Sequence, residues 1–442
     1  MLFSLFENIL DTYTPTPRQI VLAFSGGVDS RVMLDLLSTY RDIHPQHRYL
    51  VIHVHHGLSG KADAWLTQCS EWAAEAGFDF KGLRVDIDKQ GESLEKAARE
   101  ARYLAISSAV ESEALVLTGQ HADDQAETFL LALKRGSGPA GLAAMPEIRP
   151  LGQAHLLRPL LTVMRQDIET YANQQGLAWI DDESNLDCRF DRNFIRQAWL
   201  PEARRRWPGF VKAINRTSKL CAEQEALLDE LLSEHDARIE QPDGGVALTL
   251  LGAYSARMQA SLVRRWFKKA AGVSVSQGQL NQIFMSVIEA AEDANPLVQV
   301  GCWQIRRFHQ SLYCVKNAED VSDWVHYLTL NVLVKLPDHI GELLLAESAD
   351  IKGLMLRRPN GNEAVTVSFN PEGLSAHPVG RQGKRKLKKL FQEYGVPTWQ
   401  RRRTPLIFYG DQIAAVADMF VCEGFDGQEC ELVWHKHNPY SA

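Results

Sequence analysis

The chain has 442 residues, a hydrophobic fraction of 45%, a charged fraction of 23% and a formal net charge of -7, a soluble globular composition that at roughly 100 to 200 residues per domain suggests three domains. No apolar run is long enough to span a bilayer, and Glu7 and Asp11 interrupt what a signal peptide would need as its apolar stretch, so a cytoplasmic location is expected. The seven cysteines (Cys69, Cys188, Cys221, Cys302, Cys314, Cys422, Cys430) contain no Cys-x-x-Cys pair, which disfavours a disulfide framework, a zinc site and sulfur-carrier chemistry.

Residues 20–24, 49–54, 80–85 and 115–119 are short apolar runs rich in β-branched residues, each followed by a segment of helical period. Such alternation builds a doubly wound parallel sheet, so the fold class expected for the N-terminal part is α/β. Ligands of these sheets bind beyond the carboxyl ends of the strands, and the loops starting at Ser25, His55 and Gln120 should converge on one crevice. This domain is expected over residues 1–210, ending where Trp207-Pro208-Gly209-Phe210 breaks the pattern. A helical middle domain is expected over 211–325, with helices at 211–235 and 254–271 and a hairpin-like stretch at 298–315. A small α+β domain is expected over 350–435.

The sharpest motif is Ser25-Gly26-Gly27-Val28-Asp29-Ser30, between the first strand and a helix predicted over 31–40. Two glycines let the backbone turn tightly, the serines offer hydroxyls, and a helix N-terminus supplies free amide groups: a phosphate cradle. It is not a Walker A loop, because no Gly-Lys-Ser/Thr follows. The motif resembles that of the PP-loop ATPase superfamily. The resemblance implies cleavage of ATP between its α- and β-phosphates, with Asp29 near a Mg2+ ion, since a carboxylate facing bare phosphates would repel them.

After the fourth strand come Gly119-Gln120-His121-Ala122-Asp123-Asp124-Gln125-Ala126-Glu127-Thr128, leading into a helix expected over 129–134. Asp124 and Glu127 are three apart and share a helix face, with His121 at the loop mouth. Two carboxylates there suit a cationic substrate, and capping of the helix is the plainer alternative. Arg99 and Arg102, on a helical segment at 93–107, suit either the charge that develops during adenylation or an RNA phosphate. The loop 134–142 has two cations at its entry. His53, His55 and His56 lack the neighbours of a metal set, so strand-end packing is the expectation for them.

Three polar blocks follow: Arg158-Pro159-Leu160-Leu161, then Asp182-Glu183-Ser184-Asn185, then Asp191 to Arg196. Together with the cradle, in this order, they resemble the tRNA lysidine synthases. Near the C-terminus, residues 381–403 hold nine cations against the single acid Glu393, a net of +8, with Phe391, Tyr394 and Trp399 interleaved. Such a patch suits RNA phosphates and bases, and residues 383–391 resemble the same family's tRNA-reading domain. The resemblance implies ATP and Mg2+ as cofactors, with L-lysine and the CAU-anticodon isoleucine tRNA as substrates. ATP adenylates the wobble cytosine at C2, and the lysine amine displaces AMP. Carried onto this chain, it implies catalytic roles for Asp29, Asp124, Glu127, His121 and Arg99. Nucleotide binding falls to Ser25, Gly26, Gly27, Val28, Asp29 and Ser30, with the metal at Asp29, and tRNA binding to Arg381, Lys384, Arg385, Lys388, Lys389 and Arg192. Which carboxylate holds the amine and which takes a proton stays open, as does a single chain against a homodimer.

Overall fold

The computed structural model describes all residues except 58–59, 87–93, 182–186, 292–293, 348–352, 362 and 437–442. The expected block Asp182 to Asn185 lies outside the described residues. Two compact units result, Met1–Glu230 and Leu231–Ala442. No helix among the described residues is long and apolar enough to cross a membrane.

The first unit is built on six strands: β1 (Gln19–Ala23), β2 (Arg48–His55), β3 (Asp79–Arg84), β4 (Leu115–Leu117), β5 (Ile148–Leu151) and β6 (Ala154–Leu157). Their order is β3-β2-β1-β4-β6-β5. All neighbours run parallel except the β5–β6 hairpin, which the sequence pattern did not expose. The helices introduced along it are α1 (Leu2–Tyr13), α2 (Val28–Ile43), α3 (Ala62–Glu75), α4 (Leu94–Ala109) and α5 (Ala122–Lys134). Alternation along β1 separates two cores. Ile20 and Leu22 pack with Met33, Leu36, Leu37 and Tyr40 of α2, whereas Val21 packs with Val116, Leu156 and, on α4, Ile106. Positions 33, 36, 37 and 40 form the stripe that an amphipathic helix buries, each contributing about 1.5–3 kcal/mol. Because β2 lies on one side of β1 and β4 on the other, the strand order reverses between β1 and β4, and the crevice of a doubly wound sheet opens there.

α5 starts at Ala122, seven residues before the expected helix, so Asp123 to Thr128 are helical and not loop. The first unit also extends past the expected end at 210. The turn at 207–209 is present, but Val211 and Ile214 of the helix Phe210–Ile239 share a small core with Ala126 and Phe129 of α5.

The second unit holds two cores. One joins helices to a four-stranded antiparallel sheet. Helix Ala256–Ala271, capped by Ser255 and stopped by Gly272 at φ +70°, buries Leu262, Val263, Trp266 and Phe267. Strands Trp303–Phe308 and Ser311–Lys316 form the hairpin anticipated around 298–315, flanked by Leu297–Val300 and Val246–Ala247. The other core is a small body of antiparallel sheets with one helix, Leu387–Glu393. It begins well before residue 350. Val325–Tyr327 pairs with Val365–Ser368, Gly341–Glu347 pairs with Cys430–Lys436, and Val321 and Leu328 lie in its core. The cut at 350 followed local Gly and Pro content, which does not reveal long-range strand partners.

Leu387, Leu390 and Phe391 face this core, and Phe391 is 1% exposed. The expectation that Phe391 stacks on RNA bases is therefore corrected: the ring is packing material. Phe391→Ala should cost about 3–5 kcal/mol in urea unfolding. Lys388→Gln and Lys389→Gln, both on the exposed face of that helix, should stay within about 0.5 kcal/mol.

Candidate active site

Leaving β1, the chain turns through Phe24 to Gly27. Gly27 is the N-cap of α2, and no side chain bonds to the first amides of the helix, so donors and the positive dipole end face outward. Ser30 ties the turn. Its Oγ donates to Gly27 O (2.9 Å), accepts from Gly26 N (3.0 Å) and lies 3.1 Å from Ser25 Oγ. Gly26 has φ +86°, and a Cβ there would stand 2.7 Å from Ile180 Cδ1 and 2.9 Å from Cys69 Sγ. The position accepts no side chain, for both conformational and steric reasons.

The loop after β4 packs directly on this turn. A Cβ on Gly119 would come within 3.2–3.3 Å of Asp29 Cβ, Asp29 C and Ser30 N. Two residues on, His121 caps α5. Its Nδ1 accepts from Asp123 N (3.2 Å), while Asp124 Oδ2 accepts from His121 N (3.1 Å), a reciprocal capping box. With Nδ1 accepting, the neutral ring carries its proton on Nε2. That atom lies 3.6 Å from Asp29 Oδ1 and 3.4 Å from Asp124 Oδ2. His121 Nε2 and Asp29 Oδ1 are both buried without a hydrogen-bond partner in the structure. Burial pushes the Asp29 carboxyl above the ordinary range, and His121 and Arg165 pull against it.

The carboxylates expected to hold a cation already hold one from the chain itself. Arg196 donates through Nε to Glu127 Oε1 (2.6 Å) and through Nη2 to Glu127 Oε2 (2.9 Å) and Asp124 Oδ1 (2.7 Å). Glu127 is fully buried, and burial raises its pKa against the pull of Arg196. The Asp124 side chain keeps 15% exposure. Arg192, expected on tRNA, turns inward. Its Nη2 donates to Thr128 Oγ1 (3.3 Å) and its Nε sits 3.8 Å from Glu127. Asp123 is taken up by Arg204 and by the backbone amide of Arg165 (2.9 Å).

Arg196 and Arg165 went unassigned in the sequence. The four-residue spacing of Arg192 and Arg196 placed them on one helical side, but only the fold brings that side onto Glu127. The guanidinium of Arg99 lies 5.3 Å from the Tyr103 ring centre. His53 packs its Nδ1 on Phe24 O (2.9 Å). His56 Nε2 accepts from Arg102 (3.0–3.2 Å), and burial together with that guanidinium lowers the His56 pKa to about 4.

In the second unit the basic stretch is partly spent on its own acids. Arg381 and Arg385 share Glu393, Arg402 meets Glu372, and Arg403 meets Asp338 (2.7 Å). Lys384, Lys386, Lys388 and Lys389 are exposed and have no ion pair among the described residues. Trp399 packs on Phe308 and Tyr313, and Tyr394 on Phe420.

A glycine cradle at the switch point of a doubly wound sheet, with a capped acidic helix packed against it, defines an ATP-binding PP-loop domain, and residues 3–203 match the model of that family. Residues 247–313 match the TilS substrate binding domain and residues 365–437 the TilS substrate C-terminal domain. The chain belongs to the tRNA(Ile)-lysidine synthase family. It is 47% identical over 436 residues to the tRNA(Ile)-lysidine synthase of Vibrio parahaemolyticus, covering 98% of this chain and 99% of that one. It is 48% identical over 438 residues to that of Photobacterium profundum, with the same coverage. Among solved structures, the tRNA thiolase NcsA of Methanococcus maripaludis is similar at a TM-score of 0.42 and 16% identity, over 50% of this chain and 79% of that one.

Arg196→Gln should destabilise the protein by about 2–4 kcal/mol in urea unfolding, because buried Glu127 loses its hydrogen-bonded guanidinium and keeps only Arg192, at 3.8 Å. Adding Glu127→Gln should recover part of that loss. Asp29 has a raised folded pKa, so its stabilising contribution is complete below the unfolded aspartate value and is lost as pH rises through the raised one. Asp29→Asn should therefore raise the melting temperature at pH 7, and this gain should vanish in acid.

Proposed function

We propose that this chain ligates L-lysine to C2 of the wobble cytidine of an isoleucine tRNA with a CAU anticodon, through an adenylated cytidine. The observation that carries this reading is the packing of the Ser25–Ser30 cradle against the capped acidic N-terminus of α5. Phosphate-binding donors and an amine-binding carboxylate then stand side by side at one crevice.

The cytosine C2 oxygen attacks the α-phosphorus of ATP and pyrophosphate leaves. The lysine side-chain amine then bonds to C2, AMP departs with that oxygen, and one proton is released. C2 is a poor electrophile until its oxygen becomes a leaving group, which is why ATP is consumed. The amides of α2 and the hydroxyl of Ser25 hold the departing phosphates, while Ser30, whose hydroxyl donates to Gly27 O, braces the turn. Asp29 suits Mg2+ shared with them: its buried Oδ1 lacks a partner, and among the described residues no group of three or more His, Cys, Asp or Glu is arranged to hold a metal alone. When bound, Mg2+ would neutralise charge on the phosphates.

Exposure separates the two carboxylates. Asp124 reaches the crevice and receives the lysine ammonium, while Glu127, fully buried, fixes Arg196. Free lysine, with an amine pKa of roughly 10.4, arrives as a cation. In the present tautomer His121 is a donor at Nε2, which suits it to hold Asp29 or a phosphate oxygen in place. The four exposed lysines of the C-terminal body supply phosphate contacts for tRNA.

Incubation with tRNA, ATP and labelled lysine should put label into RNA with one AMP and one pyrophosphate per lysine. Asp29→Asn should abolish pyrophosphate release and leave tRNA binding within about twofold. Incorporation without AMP would remove the adenylation step.

A further inference from the structure

Arg158 is the largest fully buried side chain among the described residues, 1% exposed, and opens the loop after β6. One nitrogen, Nη1, donates to Pro146 O at 2.6 Å, and Nε is buried with no partner. Two more guanidiniums gather at the same place: those of Arg149 on β5 and Arg99 on α4 lie 4.8 and 5.3 Å from the ring centre of Tyr103, which also neighbours Arg158. No carboxylate among the described residues pairs with any of the three. Burial, with repulsion from Arg149 and Arg99, lowers the Arg158 pKa to about 10, so the group remains charged at neutral pH.

This is the reverse of the Arg196 arrangement, where two acids meet one guanidinium. A buried cation backed by two others is costly unless an anion completes it. Arg99 and Arg149 are half-buried, forming an open rim over the buried floor of Arg158. Planar guanidiniums match phosphate oxygens in paired hydrogen bonds; Arg158 also interacts with the Tyr103 hydroxyl, yet its Nε and the outward donors of Arg99 and Arg149 meet no acid among the described residues.

We propose that Arg99, Arg149 and Arg158, gathered on Tyr103, form a second phosphate-binding site, with an RNA backbone phosphate as its occupant. The choice of RNA rests on the function proposed above and on which face of the sheet is involved. The cradle helix α2 packs on the Ile20 and Leu22 face, whereas Tyr103 belongs to the core of Val21, Val116 and Leu156. A polymer of phosphates suits a site set on the other face from the nucleotide cradle.

The test compares wild type with the Arg99→Gln/Arg149→Gln double variant, leaving the buried Arg158 in place so that folding, checked by circular dichroism, is preserved. tRNA affinity should fall about tenfold near 0.1 M salt, and the slope of log affinity against log salt should shrink by about 0.7–0.9, the loss of one phosphate contact. ATP affinity should hold. A fall in ATP affinity with an unchanged tRNA slope supports the phosphate site and assigns it to the nucleotide. Inorganic phosphate provides an arm independent of RNA: at millimolar concentration it should raise the melting temperature of wild type more than that of the double variant, even if wild type binds no tRNA. Equal responses of the two proteins to tRNA, ATP and phosphate overturn the inference and make the cluster a structural pin.

Discussion

Burial raises the pKa of Glu127, and the guanidinium of Arg196, hydrogen-bonded to it, pulls the other way. Two hydrogen bonds to Glu127 and one to Asp124 bind α5 to the segment that carries Asp191 to Trp199. This pairing sets the character of the crevice. It fixes the position of Asp124, which in turn closes the capping box with His121, and that cap dictates which ring nitrogen of His121 faces Asp29. The ordering of the site thus runs from one buried ion pair outward to the cradle. Part of the segment is π-helical at Ile195–Trp199, a local widening of the helix often found at functional positions.

How much of this was legible depended on the range of the interactions. The strands of the parallel sheet and the cradle were readable because their patterns are local: β-branched runs, then glycines, then a helical stripe. The start of α5 was placed late, at 129, although the spacing of Asp124 and Glu127 already suited a helix face and His121 supplies the cap. Arg196 could be quoted from the sequence but not given a role, since its partners lie about seventy residues earlier. The same holds for Val325–Tyr327, whose partner strand is forty residues on. Phe391 was misread because an aromatic among lysines resembles an RNA-stacking surface, while its spacing with Leu387 and Leu390 is that of a buried helix face.

The charge distribution answers a difficulty raised by composition. A net charge of -7 disfavours a polyanionic partner only if positive charge is spread evenly. Here the C-terminal stretch sets aside most of its arginines for internal pairs and leaves lysines in water, while in the N-terminal unit Arg99, Arg149 and Arg158 meet no acid among the described residues. Lysines on an exposed helix face act as mobile point charges that follow a backbone; fixed arginines recognise the shape of an oxyanion.

The contact of Gly119 with Asp29 and Ser30 has a further consequence for how such a protein can change over evolutionary time. Because a methyl group on Gly119 would stand 3.2–3.3 Å from Asp29 and Ser30, closer than ordinary van der Waals contact, the loop after β4 and the start of α2 keep their present spacing only while that side chain is absent. A single added carbon at this contact would act as a small wedge, pushing the start of α2 and the loop before α5 apart by a few tenths of an ångström.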